Sequence, residues 1–208
     1  MRVYGALLSP FVRKVCLVAE EKGLRYEMVP TGPRNPHPDF VAASPFGKMP
    51  AIRDGDFSLA DSTAIITYIE AKYPETPMLP ADPRMRGRAM WFDEFADTIF
   101  AVSGLKILFN RFVGPKFFKV AGNEELALQG EAELPRILTY LEGVAPERGW
   151  LVGEGFTLAD ISVASMFASL SYVGHGANAE TYPRTAAWYG RVCARPAWQI
   201  IAEREARR

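Results

Sequence analysis

Hydrophobic and polar positions change in short runs over roughly the first third of the chain, then settle into helical spacing. Val3 to Leu7 predicts a strand that ends at Ser9-Pro10. From Pro10 to about Lys22 the apolar residues Phe11, Val15, Val18 and Ala19 recur at helical spacing, and Gly23 stands where a C-terminal cap belongs. Tyr26 to Val29 predicts a second strand. Pro30 to Pro38, rich in Pro, Gly and Asn, predicts a loop, followed by a short helix over Asp39 to Ala43. Pro50 to Arg53 and Phe57 to Leu59 flank Asp54-Gly55-Asp56 and predict an antiparallel hairpin. Asp61 or Ser62 then caps a helix running to Lys72, which Pro74 ends.

Tyr73 to Pro83 holds four prolines and few apolar residues, so it predicts an extended linker and a domain boundary. Beyond it the pattern is helical: Arg84 to Phe112, Glu124 to Glu142, Leu158 to about Ser171, Pro183 to Arg195 and Ala197 to Ala206. The expected fold class is α/β plus all-α. Its first domain covers residues 1–78 and an all-helical second domain covers 84–208.

At 208 residues, 49% hydrophobic and 23% charged, the chain has the composition of a globular protein with a real core. Lys plus Arg and Asp plus Glu stand at 24 each, so no overall field draws it to nucleic acid or to an anionic membrane. The sequence offers no signal-peptide core and no membrane span, which predicts a cytoplasmic protein with neither a nucleic-acid nor a membrane partner. Cys16 and Cys193 lie outside any CxxC or metal-like cluster, so neither a metal nor a dithiol redox site is expected. Cys16, among Val15, Leu17 and Val18, reads as a buried, inert thiol.

Three short segments carry candidate chemistry. Ser9, before the proline favoured at the first helical position, is an N-cap. Its hydroxyl either serves its own helix or joins the free amides and dipole of the helix N-terminus in favouring an external anion. Met49-Pro50 precedes a strand. X-Pro statistics alone predict a trans bond there, whereas a cis bond would leave the Met49 backbone free to pair with an extended peptide. Asp61-Ser62 starts a second helix; the serine hydroxyl and nearby amides could hold a carboxylate, and Asp61 an amine. Lys48 is a possible second carboxylate partner. His37 and His175 have no serine or carboxylate at a recognisable catalytic spacing and read as surface residues, and Thr157 to Asp160 has the spacing of a capping box that starts a core helix.

Taken together, these residues resemble the cytosolic glutathione transferase family over essentially the whole chain. Ser9-Pro10-Phe11-Val12-Arg13-Lys14-Val15 is similar to its serine-type active-site segment. Ser44-Pro45-Phe46-Gly47-Lys48-Met49-Pro50 is similar to the family's NPFGKVP turn, with Ser44 in place of the common Asn, and Asp61-Ser62 to its acidic-Ser pair. The resemblance implies a thioredoxin-like βαβαββα domain, then a helical domain that contributes the hydrophobic substrate pocket, with glutathione between them. It implies Ser9 as the catalytic residue, stabilising the glutathione thiolate rather than attacking. It implies glutathione contacts from Ser9, Phe11, Asn35, Lys48, Met49 before a cis Pro50, Asp61 and Ser62. Leu8, Phe11 and Phe109 are the expected hydrophobic pocket.

Glutathione would be a co-substrate, the second substrate a small hydrophobic electrophile, and the assembly a homodimer, with Phe46 where some classes place an aromatic key. The implied activity is conjugation of a detoxifying kind, with glutathione-dependent peroxidase activity as an addition. Serine at position 9 argues against thiol exchange, which needs a protein thiolate there. The alternative is a non-catalytic binding or scaffold protein on the same fold.

Overall fold

The computed structural model describes residues 1–32 and 36–207. The chain forms two compact units, Met1–Leu79 together with Arg195–Arg208, and Pro80–Ala194.

The first unit is built on a four-stranded sheet of order β2-β1-β3-β4. Its elements run β1 (Arg2–Gly5), α1 (Pro10–Glu21), β2 (Glu27–Pro30), α2 (Pro38–Ala43), β3 (Ala51–Asp54), β4 (Phe57–Ala60) and α3 (Ser62–Lys72). This is the expected βαβαββα order. β1 and β2 are parallel, joined through α1 as a parallel pair requires, while β3 is antiparallel to both β1 and β4. The β3–β4 hairpin closes on Gly55-Asp56, with Gly55 at φ 66°. Gly5 is needed for close packing: a Cβ there would lie 2.5 Å from Cγ2 of Val12, so the end of β1 can meet α1 only without a side chain.

Helix α1 is almost wholly buried, including the polar residues Arg13 and Lys14. Besides the sheet it packs on α3 and on α9 (Pro196–Ala206), whose sequence periodicity reads as a continuation of the helical part. Ion pairs tie the two together: Arg13 with Glu205, Glu20 with Arg204, and Glu21 with Arg195, the residue before α9.

Cys16 lies on the buried face of α1, 3.3 Å from the sulfur of Met28, and burial pushes its thiol up to about 12. It is therefore a neutral thiol at any physiological pH. Alkylation of the native protein at neutral pH should leave Cys16 unmodified, and denaturant should expose it; peptide mass spectrometry distinguishes the two states.

In the second unit the helices are α4 (Pro83–Glu94), α5 (Ala101–Leu108), α6 (Glu124–Val144), α7 (Leu158–Leu170) and α8 (Pro183–Cys193). Wider π-helical turns at Phe95–Phe100 and Phe109–Phe118 join α4, α5 and the segment beyond into one run. The run thus passes the predicted end at Phe112 and contains Pro115, which an α-helical turn would disfavour because proline lacks an N–H and its ring meets the carbonyl four residues back.

The centre of this unit is α7, every residue of which is buried. Its start is fixed by the Asp160 carboxylate, which accepts from Thr157 N at 3.1 Å, Leu151 N at 2.9 Å and Trp188 Nε1 at 2.8 Å. The predicted capping box is therefore present, and it extends to two further donors distant in sequence.

No helix among the described residues is long and apolar enough to cross a membrane. Among the same residues no group of three or more His, Cys, Asp or Glu is placed to hold a metal ion.

Candidate active site

Strand register brings the three sequence segments to one end of the sheet. Ala51, the first residue of β3, is paired on one side with Tyr4 of β1 and on the other with Ala60, the last residue of β4. Met49-Pro50 directly precedes Ala51, Asp61-Ser62 directly follows Ala60, and Ser9 lies just beyond the end of β1. Neighbouring strands stand about 4.8 Å apart, so segments separated by dozens of residues in sequence leave the sheet side by side. The cluster of Tyr4, Phe40, Ala43 and Ala51, with Met49 and Ala60 against it, holds this edge in place.

Ser9 is the N-cap of α1, in extended conformation (φ −71°, ψ 125°), and is half-buried. Its backbone carbonyl accepts from Arg13 N at 3.0 Å, but its hydroxyl makes no hydrogen bond to the helix it caps. The hydroxyl is not consumed by its own helix, and it stands beside amides that carry partial positive charge.

The Met49–Pro50 bond is cis, as the resemblance implied and X-Pro statistics did not. Among the described residues, neither the amide nor the carbonyl of Met49 has a hydrogen-bond partner. The turn ahead of it is held by Ser44, whose hydroxyl donates to Lys48 O at 2.7 Å; the serine that replaces the common Asn thus has a structural task. Lys48 itself is exposed.

Asp61 rather than Ser62 caps α3, with Oδ1 accepting from Ala64 N at 2.9 Å. Its φ of 80° is a left-handed value that costs a non-glycine residue of order 1 kcal/mol or more. Sequence reasoning had no signal for this. Ser62 is buried, yet its hydroxyl has no partner among the described residues.

Sequence reasoning also gave no role to Lys14, which is buried beside the site with its Nζ 3.4 Å from Thr63 Oγ1, next to Ser62. Leu8 and Phe11 are half-buried neighbours of Ser9 in the first unit. Phe109 belongs to the second unit, where it is 42% exposed with its ring 5.5 Å from that of Phe118. Asn35 lies outside the described residues. The two histidines have other tasks: His37 Nδ1 accepts from Asp39 N at the start of α2, and His175 meets Glu131 at 2.7 Å.

Residues 3–77 match the family described as glutathione S-transferase, N-terminal domain, and residues 100–196 match glutathione S-transferase, C-terminal domain. The chain belongs to the glutathione S-transferase family. Glutathione S-transferase 3 of Zea mays is 33% identical over 205 residues, covering 96% of this chain and 91% of its own length. A probable glutathione S-transferase of Oryza sativa subsp. japonica is 31% identical over 208 residues, covering 97% and 95%. The solved structure of a glutathione S-transferase from Rhodospirillum rubrum F11 superposes with a TM-score of 0.86 at 28% identity, covering 96% of this chain and 90% of that one. The fold of this transferase is therefore that of its family throughout.

Proposed function

We propose that this chain binds glutathione at the end of its sheet, stabilises the thiolate with Ser9, and adds the sulfur to hydrophobic electrophiles. The observation that carries the reading is the uncommitted Ser9 hydroxyl at the α1 N-terminus, on the same sheet end as Met49-Pro50 and Asp61-Ser62. The free amide and carbonyl of Met49 pair with the cysteinyl backbone of the tripeptide. The Ser62 hydroxyl and the first amides of α3 receive the γ-glutamyl carboxylate, while the second oxygen of Asp61 meets its amine. Lys48 and Asn35 are assigned to carboxylate contacts. Phe11 lines the thiol, and Leu8, Phe11 and Phe109 are assigned to the electrophile.

On this reading, the first unit, residues 1–79 with α9, forms the glutathione-binding domain, and the helices of residues 80–194 supply apolar contacts. The working form is a homodimer in the cytoplasm.

In the reaction the thiol gives its proton to solvent, and the sulfur lone pair forms a bond to the electrophilic carbon. The displaced group leaves with its bonding pair, or, in an addition, the neighbouring atom takes the pair and then a proton. With a hydroperoxide, two glutathione thiols are oxidised to the disulfide while the peroxide is reduced to an alcohol and water.

Retention on immobilised glutathione, followed by a panel of electrophiles and hydroperoxides with glutathione, tests the proposal. Failure to bind glutathione would move the assignment to a binding or scaffold protein on the same fold. Ser62→Ala is expected to raise KM for glutathione about tenfold, since it removes one hydrogen bond to a charged group, and to leave kcat close to wild type. Steady-state kinetics with glutathione varied checks this.

A further inference from the structure

Helix α9 and the residue before it hold α1 through three ion pairs that span it from first turn to last. At the first turn, the Arg13 guanidinium donates to both carboxylate oxygens of Glu205 at 2.6 Å, and the ring of Trp198 lies 5.8 Å away. At the last turn, Arg195 donates twice to Glu21 at 2.6 Å, and Arg204 meets Glu20. Arg13 is the buried member of the set, 2% exposed against 20% for Glu205, and its Nε has no partner among the described residues. A charge so removed from water needs a fixed counterion, which Glu205 provides.

The same Arg13 donates its backbone N–H to Ser9 O at 3.0 Å. The side chain that Glu205 anchors therefore belongs to the residue whose amide holds Ser9. The other glutathione contacts assigned above lie elsewhere, before β3 and at the start of α3, and none of the three ion pairs touches those segments.

We propose that Glu205 is a positioning residue for thiolate activation, acting through Arg13 to hold the first turn of α1, and with it the Ser9 hydroxyl, against the sulfur of bound glutathione. The inference rests on the function proposed above. It makes the C-terminal helix part of the activating apparatus of the first unit, and it separates activation from binding: loosening α1 alone shifts the sulfur's pKa and turnover while glutathione stays held by Met49 and the α3 N-terminus.

The test uses the full chain as wild type, Ser9→Ala, Glu205→Gln and the double variant, with pH titration of the bound thiol beside steady-state kinetics and thermal unfolding. Glu205→Gln is expected to raise the thiol pKa by about half a unit or more and to lower kcat at about pH 6.5 roughly threefold, with KM for glutathione within about twofold. In the Ser9→Ala background Glu205→Gln should leave the pKa where Ser9→Ala put it. Glu205→Asp, which keeps the anion at shorter reach, should fall between wild type and Glu205→Gln; should Glu205→Gln not fold, Glu205→Asp carries the same comparison.

A wild-type pH profile in the folded Glu205 variant overturns the proposal and leaves the pair a purely structural one. So does a shift that persists without Ser9, or a pKa that falls, since either would mean that Arg13 acts as a bare charge. If wild type and Ser9→Ala do not differ, the reading of Ser9 fails and this proposal fails with it. If they differ as expected and the Glu205 variants match wild type, this proposal alone fails.

Discussion

Ser9→Ala is expected to raise the pKa of the bound glutathione thiol by about one unit and to lower turnover about tenfold near pH 6.5, with glutathione affinity nearly unchanged. An ordinary thiol has a pKa of about 8.5 and is only a few per cent thiolate at neutral pH. A hydroxyl that donates to the anion, set beside the free amides of a helix N-terminus, contributes about 1.4 to 2.7 kcal/mol of preference for the charged form. The alanine variant loses the hydroxyl and keeps the helix end, so it loses only part of that preference. Since the Ser9 side chain makes no hydrogen bond to α1, its removal should cost the fold little, and thermal unfolding should stay near wild type. Stopped-flow or spectrophotometric pH–rate profiles read the expected displacement directly. The sign is fixed: a raised thiol pKa means less thiolate at every pH below it, so the loss in rate is greatest in acid and fades as pH rises.

Asp160→Ala is expected to be the most damaging single change to stability. The wild-type carboxylate accepts from two backbone amides, the Thr157 hydroxyl and the Trp188 indole, all converging in a site where Asp160 and Trp188 have no exposure. Burial pushes the Asp160 carboxyl above its ordinary value, and the converging donors act against that shift by favouring the anion. Removing the carboxylate leaves the two amides and the indole without an acceptor and frees the Thr157 hydroxyl, for a loss of about 3 to 5 kcal/mol. For a chain of this size that is a fall in Tm of about 10 °C. Asp160→Asn keeps one acceptor oxygen but turns an amide NH2 toward a donor, so it should fall between wild type and Asp160→Ala. Differential scanning calorimetry checks both variants, and a change below about 1 kcal/mol would show that the site relaxes around the loss.

Local patterns were legible where they depend on neighbours in sequence. The Gly55 turn, the Ser9-Pro10 start of α1 and the Thr157–Asp160 box all combine a turn or cap residue with an adjacent periodic run, and each element appears within a few residues of its expected bounds. What escaped depends on pairs far apart. Glu205 has no local signal that it meets Arg13, and the α9 helix pattern shows only that a helix forms, not where it packs. Trp188 and Leu151 join Asp160 for the same reason. The left-handed φ of Asp61 is imposed by the turn from β4 into α3, and the residue type does not announce it. For the site itself, local patterns suggested two caps and a turn; strand register, invisible in sequence, placed them at one sheet end.

The measurement that bears most directly on the account is a pH titration of the ultraviolet thiolate absorbance of glutathione bound to the wild-type protein. The bound thiol is predicted to titrate about one to two units below the ordinary value of about 8.5. A bound thiol that titrates at the ordinary value, with glutathione demonstrably in place, would contradict the role assigned to Ser9 and to the helix end it caps.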